Sequence, residues 1–485
     1  MRYYLGIDCG GTFVKAQIID ELGNIIKCVK DNIGIISNKP GYAERNMDSL
    51  WNSCANIIKK VIEYSGVDNR MIVRIGISAQ GKGVHLLDKT HNSLGNAILS
   101  SDRRAEKIVS MWKEQDLDKI IYPLTKQNIW SGHPVSILKW IKDNDIDRYN
   151  KIEYVLMTHD YLRFCLTGNL YCEVTNISES NLYNIYLKQY DEELFKLFDI
   201  YEMFGKLAPV INSEQISGYV TKEAASVTGL AIGTPVIAGL FDVVAATYCA
   251  HLESENILNG ILGTWNIISG VTNHIKDTNY NLIQGKYIND KIIIHDDSPT
   301  SIGNLEWFIN NFDELNYEKI NNLVESIPEC SSSILFIPFL YGSNFGNNIS
   351  GGIYNLQMYH TKAHLFQAIY EGVIFSFKYH LDRMLDVFPT VSTLRIMGGI
   401  THSAVWLQML ADITGMKLEI LEIEESGCFG VSLLSMKTMG INIDKIYYNL
   451  PKKIIYPRVN KSNAYYEKYN LYIDLLKSLN KKKSL

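Results

Sequence analysis

Proline and cysteine are both sparse, at 11 and 8 of 485 residues. So little proline excludes a collagen-like chain. The cysteines lie scattered from Cys9 to Cys428 with no CxxC pair. That spacing excludes a dense disulfide scaffold and fits reduced thiols in a cytoplasmic protein. Basic charge is not in excess either: Lys+Arg 47 against Asp+Glu 52 gives a net charge of −5. Such a chain has no bulk electrostatic reason to bind nucleic acid or an anionic membrane. No apolar run is long enough to span a bilayer. A strand-like run opening at Tyr3 predicts no secretion signal. What is present is an ordinary globular balance, 46% hydrophobic and 20% charged. Single cores stop growing at roughly 250–300 residues, so two large domains are expected.

The opening reads Tyr3 to Ile7, then Asp8-Cys9-Gly10-Gly11-Thr12, then Phe13 to Asp20. Two apolar, partly β-branched runs around a glycine turn predict a hairpin. Glu21 to Asn24 turns the chain into a third strand. A helix is expected over Met47–Tyr64, with Asp48 as cap, and a strand over Met71–Ser78. After a helical, irregular stretch, Thr234–Leu240 reads as a short strand ending at Phe241-Asp242. The opening then repeats: Ile257–Leu262, Gly263-Thr264, Trp265–Val271. Leu394–Met397 leads into Gly398-Gly399 and a helix closed by Gly415. This repetition predicts a duplication, with domains at 1–245 and 246–485. The basic residues Lys481-Lys482-Lys483 read as a frayed terminus.

Two devices compete for a nucleotide phosphate. Gly76 to Gly83 nearly matches a P-loop, but Gly83 lacks the hydroxyl that would face Mg²⁺. A strand-like run follows it, where the P-loop needs a helix. The other device is the pair of turns at Gly10-Gly11-Thr12 and Gly263-Thr264. Glycines there let backbone N–H groups point at an anion, and Thr adds a hydroxyl. Asp8, at a strand end, is suited to Mg²⁺. One such turn alone is explained as an ordinary hairpin; two, each opening a half, favour phosphate.

Together Asp8-Cys9-Gly10-Gly11-Thr12, Gly239-Leu240-Phe241-Asp242, Gly263-Thr264-Trp265 and Gly398-Gly399 resemble the signatures of the FGGY carbohydrate kinases. The stretch from Gly351 to Gly372 resembles a further signature, with Asn355 where glycine is usual. Ser136 stands where lysine is common. The resemblance implies an α/β chain with the actin-like ATPase fold, two ribonuclease-H-like domains flanking a central cleft that closes on ATP and sugar. Within the family, Gly76–Gly83, Ser100–Asp102, Gly132–Leu138, His159–Arg163, Asn176–Asn181 and Asn304–Phe308 look like kinases of L-xylulose and 3-keto-L-gulonate.

By that resemblance Asp242 is the base that takes the acceptor proton, although from the residues alone a helix N-cap is the better explanation and the two roles can coexist. Asp8 holds Mg²⁺. Gly11, Thr12, Gly263 and Thr264 grip the phosphates, and Gly398 and Gly399 lie flat against adenine or ribose. Gln80, Lys82, Asp102 and Arg104 fall where the family contacts sugar. Lys82 could pair with the carboxylate of a sugar acid, and each of the four could instead be a solvated surface residue. Trp265 is either an aromatic wall or core. His159 and Asp160 are expected to pin a helix terminus. The expected activity is ATP-dependent phosphorylation of the terminal hydroxyl of a ketopentose or keto-sugar acid, with a homodimer as a compatible assembly. The rivals are a kinase of D-xylulose, ribulose or glycerol, and a non-catalytic ATP-binding sugar sensor, which would not need Asp242.

Overall fold

The computed structural model describes residues 1–481 except 264, 313, 314, 344, 347 and 348; Thr264, Lys482 and Lys483 thus lie outside the described residues. The chain forms two compact units. The first takes residues 1–251, 272–294 and 423–449, and the second takes 252–271, 295–422 and the chain from 450 onward.

In the first unit, the opening hairpin forms as its glycine turn requires: β1 (Tyr3–Cys9) and β2 (Phe13–Asp20) pair antiparallel, and β3 (Ile25–Asn32) pairs β2. The turn into β3 is held by Asp20, whose Oδ1 accepts the amides of Leu22 and Asn24. Next come β4 (Ile72–Ala79), β5 (Ile216–Tyr219), β6 (Pro235–Ile237) and β7 (Leu240–Phe241). The strand order is β5–β6–β4–β1–β2–β3, with β7 also paired to β4. Strands β1 and β4 run parallel and are apolar nearly throughout, because both sheet faces are covered. Helix Met47–Ser65 covers one region of the sheet, against β2 and β3. Helix Ser426–Lys437, nearly 200 residues beyond β7, packs on β1 and β4.

Several local expectations shift. The cap of helix Met47–Ser65 is Asn46, whose Oδ1 accepts the Ser49 amide at 2.8 Å; Asp48 sits inside the first turn. The run Thr234–Leu240 is not one strand. It breaks between β6 and β7 at Gly239, with φ +95°, where a Cβ would overlap the Ile77 carbonyl oxygen. The strand His85–Leu87 follows the near-P-loop run, which disposes of the P-loop reading.

The second unit repeats the opening topology. β8 (Ile257–Leu262) and β9 (Asn266–Thr272) form the antiparallel hairpin, and β10 (Thr393–Met397) lies parallel to β8. β11 (Lys417–Leu421) and β12 (Lys452–Ile455) extend that edge. Helix Ala404–Thr414 follows β10, capped by Ser403 and closed by left-handed Gly415. Asn355, standing in for glycine, has φ +61°. Asparagine is among the few residues that tolerate this region, so the substitution keeps the backbone conformation. All eight cysteines are free. Among the described residues no helix is long and apolar enough to cross a membrane.

Candidate active site

Parallel pairing delivers three candidate residues to one edge of the first sheet. Cys9 pairs with Ala79, and Ala79 with Phe241, so β1, β4 and β7 end level with one another. Asp8 lies one residue before that line. Gln80 and Asp242 lie one residue after it, and the Gln80 amide bonds the Cys9 carbonyl at 2.9 Å. The carboxyl ends of parallel strands are where open α/β sheets place ligands.

The first glycine turn projects beyond this edge. The Gly10 amide donates to the Phe13 carbonyl at 2.9 Å, closing the turn, while Gly11 and Thr12 are exposed. Arg45 Nη2 braces the turn by donating to the Gly11 carbonyl at 2.5 Å. Gln80 Oε1 would stand 3.5 Å from a Cβ on Gly11. Anything bound at the turn therefore lies beside Gln80.

Asp8 is 8% exposed, and its Oδ1 has no hydrogen-bond partner among the described residues. Lys15 Nζ approaches Oδ2 only to 3.7 Å and is held by Glu425 at 2.6 Å. Burial raises the Asp8 pKa above the ordinary carboxylate range, with Lys15 acting against it. Gly427, in the first turn of helix Ser426–Lys437, touches this carboxyl so closely that a Cβ would fall 2.5 Å from Asp8 Cγ. A buried carboxylate oxygen lacking a donor is the kind of group a divalent cation satisfies.

Asp242 opens helix Asp242–Cys249 and is half-buried. Phe241 takes the cap position, so Asp242 is the first helical residue and not the N-cap; its Oδ1 accepts the amide of the next residue, Val243, at 2.7 Å, and it remains partly open to solvent. Lys82, with φ +61°, places its Nζ 2.6 Å from Glu179 Oε2 and 4.6 Å from the centre of the Phe241 ring. The pair is buried, and Glu179 is fully so. Asp102 is also fully buried. Its Oδ2 accepts the Ala43 amide at 2.7 Å, and its Oδ1 accepts Arg104 Nε at 2.9 Å. Arg104 also reaches Glu44 at 2.6 Å and lies over the rings of Tyr42 and Trp140, at 4.1 and 5.0 Å. Neither residue is a solvated surface group. Asp160 Oδ2 accepts the Met157 amide at 3.3 Å, pinning the start of helix Thr158–Thr167 as expected.

In the second unit, the Gly263 amide bonds the Trp265 carbonyl at 3.0 Å and closes the second glycine turn. Trp265 is 41% exposed, which rules out a core role. Gly398 follows β10 with φ +93°, where a Cβ would overlap the Leu262 carbonyl oxygen. The end of β8 and Gly398 are thus in direct contact, which only glycine permits. Thr401 Oγ1 donates back to the Gly398 carbonyl at 2.7 Å.

The sequence motifs did not include Lys15, Arg45 or Gly427, and they included Glu179 only within the stretch Asn176–Asn181, with no role of its own. The one signal for Gly427 was the run Ser426-Gly427-Cys428-Phe429-Gly430, small residues opening an apolar helix. Arg45 and Glu179 are distant in sequence from the residues they touch, and Lys15, though only seven residues after Asp8, meets it only through the antiparallel pairing of β1 and β2.

Residues 3–249 match the N-terminal domain of the FGGY family of carbohydrate kinases, and residues 258–439 match its C-terminal domain. The chain is 52% identical over 482 residues to a Haemophilus influenzae protein named "Probable L-xylulose kinase", with 99% of each covered. It is 46% identical over 484 residues to the L-xylulose/3-keto-L-gulonate kinase of Escherichia coli, covering 99% of this chain and 97% of that one. In three dimensions it matches a ligand-bound xylulose kinase from Lactobacillus acidophilus with a TM-score of 0.92 at 20% identity, covering 99% and 98% of the two chains. A glycerol kinase with ADP from Plasmodium falciparum matches at 0.88 and 21%, covering 98% of each. The fold is the actin-like ATPase fold that the motifs implied.

Proposed function

The chain belongs to the FGGY family of carbohydrate kinases, and from that premise we propose that it moves the γ-phosphoryl group of ATP to the terminal hydroxyl of L-xylulose or 3-keto-L-gulonate. The observation that carries the reading is the level ending of β1, β4 and β7, which gathers Asp8, Gln80 and Asp242 at one sheet edge beside an exposed glycine turn. The relatives named for these two sugars support the choice of acceptor.

Phosphoryl transfer depends on positioning and charge neutralisation. Asp242 accepts the proton of the attacking hydroxyl, a role that contributes ~10²–10⁴-fold. Thr12 and the amide of Gly11 hold phosphate oxygens in the first unit. Gly263 and Thr264 do so in the second, where Gly398 and Gly399 take the nucleoside. Asp8 is the residue that would hold Mg²⁺, and its unpartnered Oδ1 fits that ion. Bound there, Mg²⁺ would neutralise charge on the β- and γ-phosphates. Gln80, Lys82, Asp102 and Arg104 form the sugar side in the first unit, and Trp265 offers an exposed aromatic face in the second. The reading puts the protein in the cytoplasm, where ATP is available and free thiols stay reduced.

The test is ADP release across a panel of L-xylulose, 3-keto-L-gulonate, D-xylulose, ribulose and glycerol. The first two should give the highest kcat/KM, and a preference for glycerol or D-xylulose would overturn the assignment. Asp242→Asn should abolish sugar phosphorylation while nucleotide binding stays measurable; near-normal turnover would refute its role as base.

A further inference from the structure

We propose that the buried segment Glu173–Asn176 is a positioning element that fixes Asp242 relative to the acceptor loop Gln80–Lys82; the proposal rests on the kinase reading above. Residues 172–185 are buried without a break, yet the stretch Glu173–Asn181 is mostly polar. Such a stretch is tolerable only if its groups are hydrogen-bonded. The short helix Val174–Ile177 sends two neighbouring side chains to two different loops. Thr175 Oγ1 donates to Glu173 Oε2 at 2.7 Å and accepts the amide of Phe241, the residue before Asp242, at 3.0 Å. Asn176 Oδ1 accepts the amide of Lys82 at 3.1 Å, and its Nδ2 donates to His159 Nδ1 at 3.3 Å.

The direction of these bonds is determined. Glu173 also accepts the amides of Thr175 and Asn176, at 2.9 and 3.2 Å, and Ser213 Oγ at 2.6 Å. Burial opposes its charge, but nearby His159 and the hydroxyls of Ser213 and Thr175 hold its pKa below the ordinary range, and with four donors converging on it Glu173 is an acceptor only. The single hydroxyl proton of Thr175 therefore goes to Glu173, and its lone pairs face Phe241. Lys82 sits in the left-handed region, which is uncommon for a residue other than glycine, and the Asn176 bond to its amide helps hold it there. One carboxylate thus orders two loops whose spacing sets the distance from base to acceptor.

The experiment uses the full-length protein. Thr175→Val removes the hydroxyl at nearly constant shape. Turnover with sugar should fall about 100-fold, the cost of misplacing a reacting group by about 1 Å. The ratio of ADP released without sugar to ADP released with sugar should rise, whereas a residue that only supports the fold would lower both together. Thr175→Ser should restore both quantities. Unchanged turnover and coupling in Thr175→Val would overturn the proposal, while absence of sugar-dependent turnover in the unsubstituted protein would overturn the kinase reading instead. Asn176→Ala tests the second tie and stands in if valine at 175 does not fold. Its KM for sugar should rise about tenfold with kcat little changed; an unchanged KM counts against the proposal.

Discussion

Lys82 shows how a residue's chemistry depends on a partner far away in sequence. As a lone cation it suits a sugar carboxylate, but in the fold its ammonium already lies against fully buried Glu179, 97 positions on. Removing one member of such a pair leaves a charge stranded, so the two act as one neutral unit. His85 is the opposite case. It is buried, stacked on Tyr161 at 5.4 Å, and neither ring nitrogen has a hydrogen-bond partner among the described residues. Burial, with Arg45 and His159 nearby, pushes its pKa down to about 3. His133, buried and with Lys82 nearby, is likewise lowered to about 3. Their folded pKa values lie below the unfolded one, so between pH ~6.5 and 3 the unfolded chain binds more protons. Stability contributed by the neutral rings is full above pH ~6.5 and declines as pH falls, by about 1.4 kcal/mol per pH unit for each ring. His85→Phe keeps the stacking and removes one titration. Urea melts at pH 7.5, 6 and 5 should show a shallower acid decline than the unsubstituted protein.

At the scale of elements, the decisive contact is helix Ser426–Lys437 on the sheet. Gly6 in β1 admits it: a Cβ there would overlap the Cys428 carbonyl oxygen. Backbone cannot yield as a side-chain tip can, so Gly6→Ala should cost about 1–3 kcal/mol, read as a lowered urea midpoint. Because the same helix sets Gly427 against Asp8, this substitution should also weaken Mg²⁺-dependent nucleotide binding. The strands, the glycine turns and the Gly415 stop were legible because each depends on a few adjacent residues. The break at Gly239 was not, since it arises where the Ile77 carbonyl of β4 crowds that position. Nor was the Asn46 cap distinguishable in advance from Asp48, both being good capping residues only two positions apart at the start of the same apolar run.

For the whole molecule, chain order and spatial order part company. The first unit is completed by residues 272–294 and 423–449, although most of it is made from residues 1–251. A fragment ending at residue 294 would lack the helix that covers β1 and β4, leaving apolar strands open to water on that face. It should lose the near-ultraviolet circular dichroism of packed aromatics while retaining far-ultraviolet signal. A fragment with a sharp, cooperative melt would show that the helix is dispensable.

By itself the sequence determined the strands, the two glycine turns, their repetition and the residue types suited to phosphate and proton transfer. These follow from local rules of backbone freedom and apolar periodicity, and their motifs carry the family. Tertiary structure alone decided which carboxylate lacks a donor, which lysine is already neutralised and which helix closes the first sheet. Those outcomes depend on burial and on neighbours such as Glu179 and helix Ser426–Lys437 that lie far along the chain, and no local pattern records either.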